Sequence, residues 1–128
     1  LKILLDTNIW LWWLNDDQRL PKLAKALIID PENEIFVSSI SIWEIAIKSQ
    51  LEKLTISRPI SEFASNPSVV YLDFTAEHAV GVGSLPMHHR DPFDRALLAQ
   101  AMIGQLQLLT SDIKLTEYEN VQVKAMRN

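Results

Sequence analysis

Cysteine is missing from all 128 residues. That excludes a disulfide framework, a thiolate metal site and a cysteine nucleophile, and it is compatible with the cytoplasm, the expected compartment. Glycine and proline are scarce, at 3 and 6 residues, so there is no flexible linker or low-complexity tract to divide the chain. A length of 128 residues then suggests one domain, residues 1–128. Positive charge is also in short supply, with 12 Lys and Arg against 16 Asp and Glu and a net charge of −4. This argues against a broad non-specific binder of nucleic acid, which gains its affinity from many basic contacts to phosphate. It leaves room for an enzyme in which a bound cation supplies the positive charge. No long hydrophobic run occurs either. The most apolar stretch, Leu1 to Leu14, is broken by Asp6 and Asn8 and falls short of the ~20 residues of a membrane span. It is expected to be buried core, not a targeting or membrane segment.

What is present reads as alternating strands and helices. Lys2 to Leu5 is a short apolar run that stops at Asp6, and Asp6-Thr7-Asn8 are cap formers ahead of a helix carrying Trp10, Trp13 and Leu14. A second helix is expected over Leu20 to Ile29 and a second strand over Glu34 to Val37. Ser38-Ser39 and Ser41 then open a helix to about Leu51. A short helix follows Arg58-Pro59, a third strand covers Val69 to Leu72, and Thr75 caps a helix to about Val82. Asp91-Pro92 opens a strong helix to about Ile103, with Gly104 as its stop. Gln107 to Thr110 is a fourth strand and Val121 to Val123 a fifth. The alternation predicts an α/β fold, a three-layer α/β/α sandwich on a mostly parallel sheet of four to five strands. Ligands in such sheets sit beyond the carboxyl ends of the strands, where Asp6 and Asp112 fall.

Asp6, Glu44, Asp94 and Asp112 stand out as candidate site residues, with Asp91 as a fifth. Each alone has a structural explanation. Asp6, Asp91 and Asp112 can cap helices, Ser41-x-x-Glu44 has the form of a capping box, and Asp94 stands where a box begun by Asp91 places its acid. As a set they say more, because helix starts that follow parallel strands point toward one edge and bring their acids together. Clustered carboxylates repel unless protonated or bridged by a cation. An oxygen-only donor set suits Mg²⁺ or Mn²⁺ better than zinc.

At these residues the chain resembles a known family. Leu4-Leu5-Asp6-Thr7-Asn8 is similar to the opening motif of PIN domains, and Ser38-Ser39-Ile40-Ser41-Ile42-Trp43-Glu44 to their second. The third is matched by Asp91-Pro92-Phe93-Asp94-Arg95-Ala96-Leu97-Leu98-Ala99-Gln100-Ala101 and the fourth by Leu109-Thr110-Ser111-Asp112. Within that family the chain most resembles the VapC toxins of type II toxin–antitoxin systems. The resemblance implies a Mg²⁺-dependent endoribonuclease, with Mn²⁺ able to substitute, leaving 5′-phosphate and 3′-hydroxyl ends. It also implies a homodimer inhibited by a VapB-type antitoxin. Asp6 and Asp94 would form the core of the metal site, completed by Glu44 and Asp112. Thr7 or Asn8 would support Asp6, and Thr110 would hydrogen-bond a water or phosphate oxygen. Ser111 departs from the pattern, since many relatives carry Arg there.

Other residues are weighed by their chemistry. His88 and His89 form a loop pair that suits a solvated surface better than proton transfer. Arg95 is expected to anchor a phosphate or pair with a neighbouring acid, and Lys48 and Lys53 to lie on an exposed helix face or a minor phosphate track. Trp10, Trp12, Trp13 and Trp43 cannot all face inward from short helices, so an outward Trp marks a protein interface ahead of a base-stacking site. Two rival functions stay open on the residues alone. One is another Mg²⁺-dependent phosphotransfer enzyme, although a phosphatase places a second Asp where Asn8 stands. The other is a catalytically silent interaction module that keeps the fold.

Overall fold

Ile3, Leu4 and Leu5 are completely buried, as a strand must be when the sheet is covered on both faces. In the computed structural model, which describes residues 1–126, they belong to β1 (Lys2–Leu5) at the centre of a five-stranded sheet. Residues 127 and 128, the end of the expected 1–128 domain, lie outside the described residues. After β1 come α1 (Thr7–Leu14), α2 (Lys22–Ile29), β2 (Glu34–Ser38) and α3 (Ser39–Gln50). Then follow β3 (Val70–Leu72), α4 (Ala76–Val82), α5 (Pro92–Gly104), β4 (Gln107–Thr110) and β5 (Gln122–Ala125). Short 3-10 turns occupy Ile60–Ala64 and Ile113–Glu117.

The strand order is β3-β2-β1-β4-β5, and every pairing is parallel. The chain therefore builds outward from β1 on one side through β2 and β3, then returns to β1's other side with β4. This reversal places a crevice at the carboxyl ends of β1 and β4, where open α/β sheets bind ligands. Register fixes the two edges of that crevice: Leu5 pairs with Leu109, and the Asp6 amide donates to Leu109 O at 3.0 Å.

Side-chain alternation along the strands divides the core in two. Ile3, Leu5, Ile35, Val37 and Leu109 pack with Ile9, Trp10, Ala24, Ile28 and Phe63 on one face. Leu4 and Leu108 pack with Ala96, Leu97, Leu98, Leu115 and Tyr118 on the other. The second face depends on α4 lying close to α5. At Gly81 an added Cβ would stand 2.7 Å from Ile103 Cδ1.

The sequence misplaced several local signals. Ser41 does not cap α3: Ser38 does, its Oγ accepting from the Ile40 amide at 3.0 Å, because the helix starts directly at the strand end. Asp94 closes no capping box. The box is instead at α4, between Thr75 and His78. Gly104 is the last helical residue of α5, and Gln105 takes the left-handed conformation (φ 55°) that glycine adopts more easily. The second helix starts at Lys22 after Pro21, since proline suits a helix start, and β5 extends to Ala125. Among the described residues no helix is long and apolar enough to cross a membrane.

Candidate active site

Asp6 leaves β1 as the N-cap of α1, with Oδ1 accepting from the Ile9 amide at 2.8 Å. Its Oδ2 accepts from the Thr110 hydroxyl at the end of β4, and Thr110 Oγ1 accepts in turn from the Asp112 amide at 3.0 Å. One threonine thus links the acids that follow two adjacent strands. Asp6 is 6% exposed. Burial pushes its carboxyl up to about 6, the two hydrogen bonds oppose that shift, and the charges of Asp94 and Glu44 add to it.

Glu44 lies on α3, buried, with Oε1 2.7 Å from the Thr7 hydroxyl and Oε2 2.5 Å from Lys48 Nζ one turn on. Thr7 Oγ1 also lies 2.9 Å from Ser41 Oγ. Thr7 therefore serves Glu44, not Asp6 as expected, and Ser41 belongs to this hydroxyl network. Lys48 pairs with the acid and is raised above its ordinary range chiefly by that hydrogen bond. Its i,i+4 spacing from Glu44 was the sequence signal for the pair.

Asp91 caps α5, its Oδ1 accepting from the Phe93 and Asp94 amides at 2.9 and 3.1 Å. Asp94, one turn in, points its Oδ2 at His89 Nε2, 2.9 Å away. Burial first and then the Asp91 charge push the Asp94 carboxyl up to about 6, with Glu44 adding less; the His89 hydrogen bond and charge work the other way. Asp112 offers a carboxylate oxygen within 4.8 Å of ligand atoms of both Asp94 and His89. It also caps the 3-10 turn after β4 through the Lys114 amide at 3.0 Å.

The fold thus brings Asp6, Glu44 and Asp94 within electrostatic reach of one another, with Asp112 beside Asp94. Asn8 is exposed on the first turn of α1, and Lys53 is exposed beyond α3. Arg95 pairs with no acid among the described residues. It is 7% exposed, and its guanidinium donates to Val82 O (3.0 Å), Leu85 O (3.3 Å), Pro86 O (2.9 Å) and His89 O (3.4 Å), and to the Tyr118 hydroxyl (3.3 Å). A cation buried without a carboxylate is satisfied here by main-chain oxygens near the end of α4. The place of His89 beside Asp94 was not legible, because the contact depends on how the loop folds back.

Two buried or half-buried carboxyls near 6, with the nearby lysine already committed to Glu44, form a site short of positive charge. Carboxylate oxygens with no thiolate beside them fit a hard divalent cation. Its chemistry there suits a phosphate ester.

Comparison with known proteins agrees with the fold. The chain is 27% identical to Ribonuclease VapC22 of Mycobacterium tuberculosis over 129 aligned positions, covering 92% of each. It superposes on the VapBC2 structure from Rickettsia felis bound to a promoter DNA fragment with a TM-score of 0.72, at 19% identity, covering 98% of both chains. For a DNA-bound VapBC structure from Salmonella typhimurium the TM-score is 0.70 at 15% identity, again covering 98% of both. The sequence pattern of the PIN domain runs through residues 3–121. From the strand that delivers Asp6 to the turn that follows Asp112, the chain belongs to the PIN domain family.

Proposed function

We propose that residues 1–128 form a single nuclease domain that hydrolyses RNA internally with a divalent cation, Mg²⁺ or Mn²⁺. In this reading the chain is the toxin of a VapBC-type toxin–antitoxin pair in the cytoplasm. The observation that carries the reading is the meeting of Asp6, Glu44 and Asp94 at the carboxyl edge of β1 and β4, with Asp6 and Asp94 displaced to about 6. Such a cluster is costly to the fold and is relieved by a cation.

Asp6 and Asp94 hold the cation, and Glu44 and Asp112 complete its surroundings. A divalent cation in this place offsets phosphate charge and acidifies a nearby water. Thr110 orients Asp6, and Thr7 with Lys48 fixes Glu44. RNA as substrate is supported by the likeness to a named ribonuclease, and a partner antitoxin by the likeness to VapBC complexes. Self-association is supported by Trp43, 57% exposed between two apolar grooves of about 300 and 400 Å³. The test is incubation of the purified protein with total RNA in Mg²⁺ or EDTA, followed by mapping of new 5′ ends. Cleavage in Mg²⁺ that EDTA abolishes and Asp94→Asn lacks is expected. Intact RNA in Mg²⁺ and in Mn²⁺ would overturn the reading.

A further inference from the structure

His89 sits in the loop before α5 and is held there on its main chain. Its amide donates to the Tyr118 hydroxyl at 2.9 Å, and its carbonyl accepts from Arg95 at 3.4 Å. Arg95 also binds the carbonyls of Val82, Leu85 and Pro86, so one buried guanidinium gathers the end of α4 and the loop up to His89. Tyr118 is 2% exposed and lies in the second core, so the hydroxyl that anchors His89 is itself fixed. A loop histidine is ordinarily mobile, but this one is tied to two buried side chains. Its imidazole is only 21% exposed and points at the Asp94 carboxylate.

We infer that His89 is a positioning residue for the metal site: its Nε2–H donates to Asp94 Oδ2 and turns the carboxylate so that its remaining lone pairs face the cation. This rests on the metal-dependent reading above and adds to it a residue outside the acidic set. Ionised Asp94 can only accept, so its oxygen 2.9 Å away places the proton on Nε2. Hydrogen bonds from outer residues fix the orientation of metal-binding carboxylates, and losing one weakens binding without dismantling the fold. Arg95 and Tyr118 thereby act on the same carboxylate at one remove, through the backbone of His89.

The experiment is calorimetric titration of the purified, metal-free protein with Mn²⁺, with melting temperatures taken in EDTA. The proteins are wild type, His89→Ala, His89→Gln and His89→Asn. A glutamine amide nitrogen reaches about as far as Nε2, whereas that of asparagine stops near Nδ1. His89→Ala should bind Mn²⁺ about 10-fold more weakly, with an unchanged melting temperature. His89→Gln should recover most of the loss and His89→Asn little of it. Wild-type affinity in His89→Ala would overturn the inference and leave the metal site standing. Gln binding as poorly as Ala would also overturn it, assigning the imidazole to the ion itself. Absence of Mn²⁺ binding by the wild type would remove the metal site and this inference together.

Discussion

Thr7 on α1 and Glu44 on α3, 37 positions apart, meet with 2.7 Å between hydroxyl and carboxylate. With Lys48 on its other oxygen, Glu44 has a hydroxyl and a cation of its own. Among the described residues, Asp6 has only a threonine hydroxyl and a backbone amide, and Asp94 only the His89 imidazole. The acids are therefore not equivalent. Asp6 and Asp94 gain most from an added cation.

Asp91 and Asp94 should fail differently. Asp91→Asn keeps an oxygen to accept from Phe93 and Asp94, and Asn caps about as well as Asp. It should retain most RNA cleavage. Asp94→Asn keeps the size and removes a charge, so turnover should fall by orders of magnitude while the melting temperature holds or rises. Paired rates at saturating Mg²⁺ and thermal melts check this. A dead Asp91→Asn beside an active Asp94→Asn would reverse the assignment.

Thr110 should matter to Asp6 through its hydroxyl alone. Thr110→Ser keeps the donor and Thr110→Val removes it at similar volume. In the valine protein the Asp6 carboxyl loses the largest influence holding it down, so its pKa should rise further and Mn²⁺ affinity near pH 6 should drop. NMR titration of the Asp6 carboxyl carbon, with Mn²⁺ binding at pH 6 and 8, measures both. Equal pKa values in the serine and valine proteins would contradict the role.

The metal-free protein should become less stable as pH rises through the acids' range. Folded Asp6 and Asp94 keep their protons to about 6, whereas in the unfolded chain they lose them at ordinary aspartate values. Between those limits the folded state holds more protons, so stability present at low pH is lost by about pH 6–7. Between pH 5 and 7 the loss should be on the order of 1–3 kcal/mol, a fall of several degrees in Tm. Melts in EDTA at pH 5 and 7, against the Asp6→Asn, Asp94→Asn double variant, isolate the effect. Identical pH slopes in the two proteins would show that these carboxyls are not displaced.

Trp43 is an exposed aromatic, in edge contact with Phe93 at 5.3 Å between ring centres. Light scattering on a sizing column should find a dimer for the wild type and a monomer for Trp43→Ser. Little change in melting temperature beyond the lost association is expected. A monomeric wild type at micromolar concentration would remove the interface.

Gln105 pays for a left-handed backbone at the end of α5. Gln105→Gly should stabilise the protein by ~1 kcal/mol, net of the flexibility glycine adds to the unfolded chain. Urea midpoints measure it, and a destabilised glycine variant would show that other Gln105 contacts outweigh the strain.

The sequence by itself determined the α/β alternation, each strand of the parallel sheet to within two residues, and the edge where Asp6 and Asp112 emerge. These follow from local chemistry: apolar runs that end in an acid, Thr75 and Asp91 at helix starts, and hydrophobic residues at helical spacing. It also picked out the acids of the candidate site, because each stands at or near a helix start whose direction the alternation sets. Only the tertiary structure decided their partners. Thr7 with Glu44, Thr110 with Asp6 and His89 with Asp94 are meetings across strands, helices and a folded-back loop, and no periodicity encodes them. The same holds for Arg95, whose sequence position beside Asp94 suggested phosphate. One residue's step around α5 turns it about a hundred degrees away, into main-chain carbonyls that satisfy the buried guanidinium.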